Sequence, residues 1–311
     1  MENKFEFLGQ SPQDMGTETA SHLPTTDLIR LSMTSKGHRA FFTPILEERK
    51  VLQKFLHHVV RGEHDAVKEI LKKDINLIFK KDQVTDCSGR TFHFISGFEY
   101  ALWALDKHMW IMMLDCIPKN EDSKKVWAKL CSQYDHVETK GVTYKLNGAP
   151  ITEKHFDFEN TIIKELQTQV NSINAPGNKN WDAIDKQWRE GVGGAQMLLP
   201  MHGVDEYCSN EPFYPVPKFT LQPKSSRQFY NWITEKLESW FSVDSKLSVD
   251  FAIYKAPRHS TAAICAVGVA LGGDLDAMSA LCKIRTKDFI DLKSLLEEQM
   301  TVDNQPQVYQ M

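Results

Sequence analysis

Residues 51–73 constrain the fold of this 311-residue chain more than any other stretch. Leu52, Phe55, Leu56, Val59 and Val60 recur at helical spacing, Gly62 interrupts them, and Ala66, Val67, Ile70 and Leu71 resume the stripe. Apolar residues at that period line one face of a helix. A glycine between two such runs accepts the left-handed backbone that turns one helix back on the other. Glu63 and Asp65 fall at the positive N-terminal end of the second helix, where a carboxylate is favoured. Both stripes need partners, so a mainly helical body is expected.

The pair resembles the ankyrin helix pair, in which a Gly-containing turn is followed by a polar-apolar-x-Ala-Val run. One echo lies at 98–114, where Phe98, Ala101, Leu102 and Leu105 precede Asp106-Lys107-His108-Met109-Trp110. A weaker one lies at 261–281, around Gly273-Asp274-Leu275-Asp276-Ala277. His64 and His108 stand farther apart than the ~33-residue ankyrin period, and the units are not contiguous, whereas a solenoid stacks at least about three neighbouring repeats. The expected fold is therefore mainly α, a helical globule with embedded ankyrin-like helix pairs and one or two small β-hairpins.

The rest of the chain divides around that unit. Residues 1–24 are polar and read as an arm. A first helix is expected after Pro24, ended by Gly37, and a second from near Pro44. β-formers at 77–95 flank the turn-type run Cys87-Ser88-Gly89-Arg90 and predict a β-finger. Helices are expected at about 97–117 and 123–135. Alternating Val142, Tyr144 and Leu146 before Asn147-Gly148 predict a hairpin over 141–151. A long amphipathic helix over 153–174 stops at Ala175-Pro176-Gly177-Asn178. Five prolines between 200 and 223 exclude a long helix or internal strand at 191–224. Helices are expected again at 225–241 and from Pro257 to Met300, with a small-residue helix at 262–272 and a short strand at 247–254. In domain terms, 25–175 forms one helical lobe, 176–224 a Pro/Gly-rich connection, 225–300 a second lobe and 301–311 a tail.

Charge narrows the function classes. The net charge is −4, with no long run of one sign, which argues against a generic nucleic-acid or membrane-surface binder. The longest apolar run, Ala262 to Leu271, is far short of the ~20 residues of a membrane span. The N-terminus lacks a secretory signal pattern. Six scattered cysteines without a CxxC pair suit buried thiols in a reducing compartment.

The run Val84-Thr85-Asp86-Cys87-Ser88-Gly89-Arg90-Thr91-Phe92, followed by Phe98-Glu99-Tyr100-Ala101-Leu102-Trp103-Ala104-Leu105-Asp106-Lys107-His108-Met109-Trp110, resembles a group of uncharacterised ankyrin-like proteins from Legionella and related intracellular bacteria. Ser21-His22-Leu23-Pro24-Thr25-Thr26, Tyr207-Cys208, Phe229-Tyr230, Val249-Asp250-Phe251-Ala252 and Ile284-Arg285-Thr286-Lys287-Asp288 extend the likeness over most of the chain. The resemblance implies a bacterial cytoplasmic protein of the effector type, one that can be delivered into a host cell. It implies no reaction.

Two function classes stand against each other. The first is a protein–protein interaction module with no nucleic-acid partner, in which Trp103, Lys107, His108 and Trp110 offer a binding surface, since an exposed tryptophan makes a strong anchor. The second is an enzyme modifying a protein substrate in the 198–218 loop. There His202, Asp205 and Cys208 supply a base, an orienting carboxylate and a thiol nucleophile. Each has a plainer reading: aromatic residues on all-apolar helices belong to a core, and a lone cysteine in a loop is a buried thiol. His57, His58 and His64 suit structural roles better than zinc, because Gly62 breaks their helix. Arg258-His259-Ser260-Thr261 is similar to the Arg and Ser/Thr placements of ADP-ribosyl-transfer enzymes but lacks a Glu-x-Glu partner. It reads better as a helix start. Gly191, Gly193 and Gly194 lack the strand and lysine of a phosphate loop. No cofactor or metal is expected.

Overall fold

Ser35 accepts a hydrogen bond from the His38 N–H and opens a helix that runs unbroken to Val60. The computed structural model in which this is seen describes residues 18, 20, 23–120, 123–242, 244–255, 263–266 and 272–301. The arm at 1–17, the tail at 302–311 and the Arg258–Thr261 run lie outside the described residues. Helix α1 spans Thr25–Ser32 and α2 Lys36–Val60. Gly37 therefore lies in the first turn of α2 rather than ending a helix, and Pro44 lies inside it.

After α2 the chain turns at Gly62, with φ +62°, into α3 at His64–Leu71. A short 3₁₀ turn at Ile75–Phe79 leads to β1 at Lys81–Thr85 and β2 at Thr91–Ser96. These strands form the expected finger, closed by a turn in which Asp86 accepts bonds from the Ser88 and Arg90 N–H groups. Ser96 and Glu99 then make a reciprocal cap that starts α4 at Gly97–Trp103. Helices α5 (Lys107–Asp115) and α6 (Ser123–Lys140) follow, then β3 (Val142–Leu146) and β4 (Ala149–Glu153). Asn147 and Gly148 carry φ +51° and +83°, the backbone that a two-residue hairpin turn needs. The first sheet has the order β1-β2-β3-β4, antiparallel throughout.

The second half departs further from expectation. A π-helical turn at Glu159–Ile163 runs into α7 at Lys164–Asn174. The segment expected as a connection instead carries α8 (Trp181–Lys186), α9 (Gly193–Met197) and α10 (Met201–Tyr207). Trp188, Val192, Val204 and Tyr207 are fully buried there, so this stretch belongs to the core. The helix expected at 225–241 is a hairpin, β5 (Gln228–Asn231) and β6 (Lys236–Ser239). With β7 (Ala252–Lys255) and β8 (Ala263–Ala266) it forms a second sheet in the order β6-β5-β8-β7. A strand at 263–266 overturns the small-residue helix at 262–272, and with it the helix pair expected at 261–281. The last described element is the 30-residue α11, Gly272–Thr301.

A single apolar core runs from Leu52 on α2 to Leu296 on α11. A separate small cluster of Ala20, Leu28 and Phe42 ties α1 to the first half of α2. The described part is thus mainly helical with two small sheets, and none of its helices is long and apolar enough to cross a membrane.

Candidate functional site

Of the four residues singled out as a binding surface, the two tryptophans are in the core and Lys107 and His108 are partly buried. Trp103 and Trp110 are fully buried, and the expectation of an exposed tryptophan anchor is corrected on that ground. Trp103 packs among Phe92, Tyr100, Tyr144 and Phe156, and its indole N–H donates to Glu153 Oε1 at 3.1 Å. Lys107 and His108 reach across to α11, where Lys107 Nζ pairs with Asp288 at 2.6 Å and His108 Nε2 meets Arg285 at 3.0 Å. All four hold the fold together. Nor is the turn of the first helix pair free. Arg227 donates to the carbonyls of Arg61 and Gly62 and clamps Asp205 with two bonds of 2.7 and 3.0 Å.

His202, Asp205 and Cys208 lie on and just after the short helix α10, not in a loop. His202 and Cys208 are six positions apart, which turns them to different faces. His202 Nε2 is bonded to the Ala104 carbonyl at 2.7 Å, and Asp205 is taken by Arg227. Burial pulls the His202 imidazole down to about 4 and pushes the Cys208 thiol up to about 12. A thiol nucleophile needs the opposite. His57, His58 and His64 also have separate partners: Arg61, Glu63, and the Gly62 carbonyl with Gln222.

Instead the structure gathers Glu206, Ser209, Lys255, Asp274 and Arg285, of which only Glu206 and Ser209 lie near one another in sequence. Lys255 Nζ donates to the Glu206 carbonyl and to Ser209 Oγ, both at 2.7 Å, closing the C-terminus of α10. Ser209 Oγ also accepts from the Glu211 N–H and donates to the Glu206 carbonyl. Its lone pairs are engaged, so it caps a helix rather than standing ready to attack. Glu206 is among the residues that line a cavity of about 430 Å³ under the 209–224 loop. Burial raises its carboxyl to about 7, outweighing Arg285 at 3.6 Å. Burial also raises Asp274 to about 8 and lowers Lys255 to about 8. Low dielectric thus moves all three toward neutrality.

A second feature lies on the first sheet. Val84 opposes Phe92 and Asp82 opposes Ile95, so β2 spends three steps where β1 spends two. The extra residue is a β-bulge at His93–Phe94. A bulge bends its strand and can end pairing on the far side, and β2 meets β3 only at Thr91–Lys145. Between the diverging strands opens a wedge of about 360 Å³, walled by His93, Phe94 and Ile95 on one side and Gly141–Tyr144 on the other. The bulge also reverses Phe94, which is 74% exposed while Phe92 and Ile95 are buried. Gly141 sets the opposite wall. Its φ of +73° brings the backbone so close to β4 that a Cβ would lie 2.7 Å from the Glu153 carbonyl oxygen. Lys81, His136, Lys140 and Lys145 rim the wedge, and its one acidic lining residue, Glu99, is bound to Lys81 at 2.5 Å and to the Ser96 N–H.

Residues 161–296 match the CBUA0006 C-terminal domain. Over 268 residues the chain is 34% identical to the protein CBUA0006 of Coxiella burnetii, a match that covers 80% of this chain and 76% of that one. No solved structure matches. The matched domain contains the Glu206–Lys255–Arg285 cluster, and the wedge lies before it. The chain belongs to the CBUA0006 family.

Proposed function

We propose that this chain is a protein–protein interaction module that offers a partner the wedge between β2 and β3. One observation carries the reading: two strands of one sheet diverge and leave a large aromatic side chain, Phe94, in solvent at their mouth. Unpaired strand edges are templates for association unless they are covered, and an aromatic side chain beside such an edge offers an added strand a side-chain contact. The surface differs from the ankyrin-like groove that the sequence suggests, because Trp103 and Trp110 lie behind it in the core. In the setting that the sequence resemblance implies, the partner belongs to a host cell.

The second reading, an enzyme in the 198–218 region, draws its support from the raised Glu206 carboxyl and from the cavity that Glu206 helps to line, since perturbed carboxyls gather at functional sites. It is the weaker of the two because Cys208 and His202 lie apart and unactivated. The test places a photo-crosslinking amino acid at Phe94 and, separately, at the equally exposed Leu221. Specific protein adducts from position 94 alone are expected. Adducts of equal pattern from both positions would overturn the assignment.

A further inference from the structure

We propose that the wedge takes an extended, acidic segment of the partner, which pairs with β3 as an added strand. This rests on the interaction reading above and adds the chemistry of what is bound. In the β3–β4 hairpin, Leu146 and Ala149 flank the two turn residues and exchange main-chain hydrogen bonds. Alternation then points Tyr144 and Val142 toward β4, and Lys145 and Thr143 toward β2. Lys145 finds Thr91 there, whereas Thr143 faces the wedge with the bulged His93 drawn away. The Thr143 N–H and C=O are thus a donor and an acceptor set at strand spacing along an open edge. An incoming extended backbone completes that ladder.

Charge selects the sign of the segment. Lys81, Lys140 and Lys145 border the wedge, and Lys129 continues the row in an adjoining cavity of about 340 Å³ that shares Lys81, Glu99 and His136. Glu99 is already used by Lys81 and the Ser96 N–H. On a chain of net charge −4, a local cationic rim steers an anionic ligand. Phe94, with Lys81 Nζ 5.5 Å from its ring centre, supplies an apolar contact at the mouth. A single-stranded nucleic acid would share the charge, but it is held by successive aromatic platforms and makes no use of a strand ladder.

The test is fluorescence anisotropy with the full chain and a labelled peptide of alternating glutamate and valine. Three probes compete: the same peptide with alternate valines replaced by proline, its lysine counterpart, and oligothymidylate. Binding of the acidic peptide that weakens by about tenfold in the Lys140→Glu, Lys145→Glu double variant is expected, with no binding of the proline or lysine forms. Thr143→Pro removes the N–H in the wedge and is expected to abolish binding. If it fails to fold, the double variant, changed only at exposed positions, still decides. Equal binding of the proline form reduces the wedge to a patch of charge and overturns strand pairing. Stronger binding of oligothymidylate overturns the peptide assignment. An acidic peptide that fails while position 94 still crosslinks to a protein overturns this inference alone. Failure of both removes the interaction reading as well.

Discussion

Glu206 couples the buried charge cluster to pH. Its carboxyl, raised by burial to about 7 from an ordinary 4.5, holds its proton longer in the folded chain than in the unfolded one. Between those values the folded state binds more protons, so this group makes stability fall as pH rises, and the loss is complete above about 7. His202 and His108, pulled down to about 4 from 6.5 chiefly by burial, act with the opposite sign. They make stability rise from about pH 4 to 6.5. Asp274, raised to about 8, acts with the same sign as Glu206, and the Glu206→Gln variant removes only the contribution of Glu206. Relative to the parent it is expected to gain stability progressively from pH 4.5 to 7, by on the order of 3 kcal/mol, and to level off beyond. Urea unfolding midpoints across pH measure this, and a difference that does not vary with pH would refute it. The same residues show why the sequence offers one trio as a candidate while the fold gathers another cluster. His202, Asp205 and Cys208 are neighbours along the chain, whereas Glu206 meets Lys255, Asp274 and Arg285 only through folding, and no local spacing records that meeting.

Among the elements, the wedge depends on how β3 begins. Gly141→Ala places a methyl group against the Glu153 carbonyl oxygen and strains a left-handed residue, whereas Gly148, at φ +83°, has open space around it. The first change is expected to cost about 3 kcal/mol and the second about 1 kcal/mol. Chemical denaturation of the two variants checks the order, and equal losses would mean that the close approach of Gly141 to β4 is absent in solution. The β3–β4 hairpin was legible in advance because Asn147-Gly148 encodes its turn locally, and α6 because its apolar stripe is long, whereas the helix expected at 97–117 is two short ones, α4 and α5. The bulge was not legible. Thr91-Phe92-His93-Phe94 reads as simple alternation with both phenylalanines inward, and only the pairing with β1 shows the extra residue. The β5–β6 hairpin was missed for a related reason. Four-residue strands are too short for periodicity to declare, and Trp232, Ile233 and Leu237 mimic a helical stripe while lying exposed. What holds β5 in place is β8, more than thirty residues downstream, paired in parallel at Tyr230–Ile264.

At the level of the whole molecule, α11 joins the matched C-terminal domain to what precedes it. Phe289 stacks on Tyr134 of α6 with ring centres 4.9 Å apart, and its carbonyl accepts from the Tyr134 hydroxyl at 3.1 Å. Arg285 and Asp288 meet His108 and Lys107 of α5, and Leu292 and Leu296 are buried in the common core. Two lobes on a connector would unfold separately. One shared core is expected to unfold in a single transition, with tryptophan fluorescence and far-UV circular dichroism tracing the same curve. Trp103 and Trp110 report from one half and Trp188 and Trp240 from the other, so two resolved steps would refute the shared core. The exception is the small cluster at the start of the described chain. Helix α2 belongs to both cores: Phe42 serves the small one, and Leu52, Phe55 and Val59 serve the large one. Ile45 and Leu46 also pack on the small cluster, so Pro44, which cannot donate a hydrogen bond to the preceding turn, lies within the stretch of α2 that serves it. α1 and the first half of α2, joined by that cluster and by Arg49 bonds to the Ala20 and Leu23 carbonyls, can open as one cooperative unit while the rest stays native. That unit also borders Phe94, across a surface pocket lined by Leu23, Thr26 and His93, so its opening would widen the approach to the mouth of the wedge.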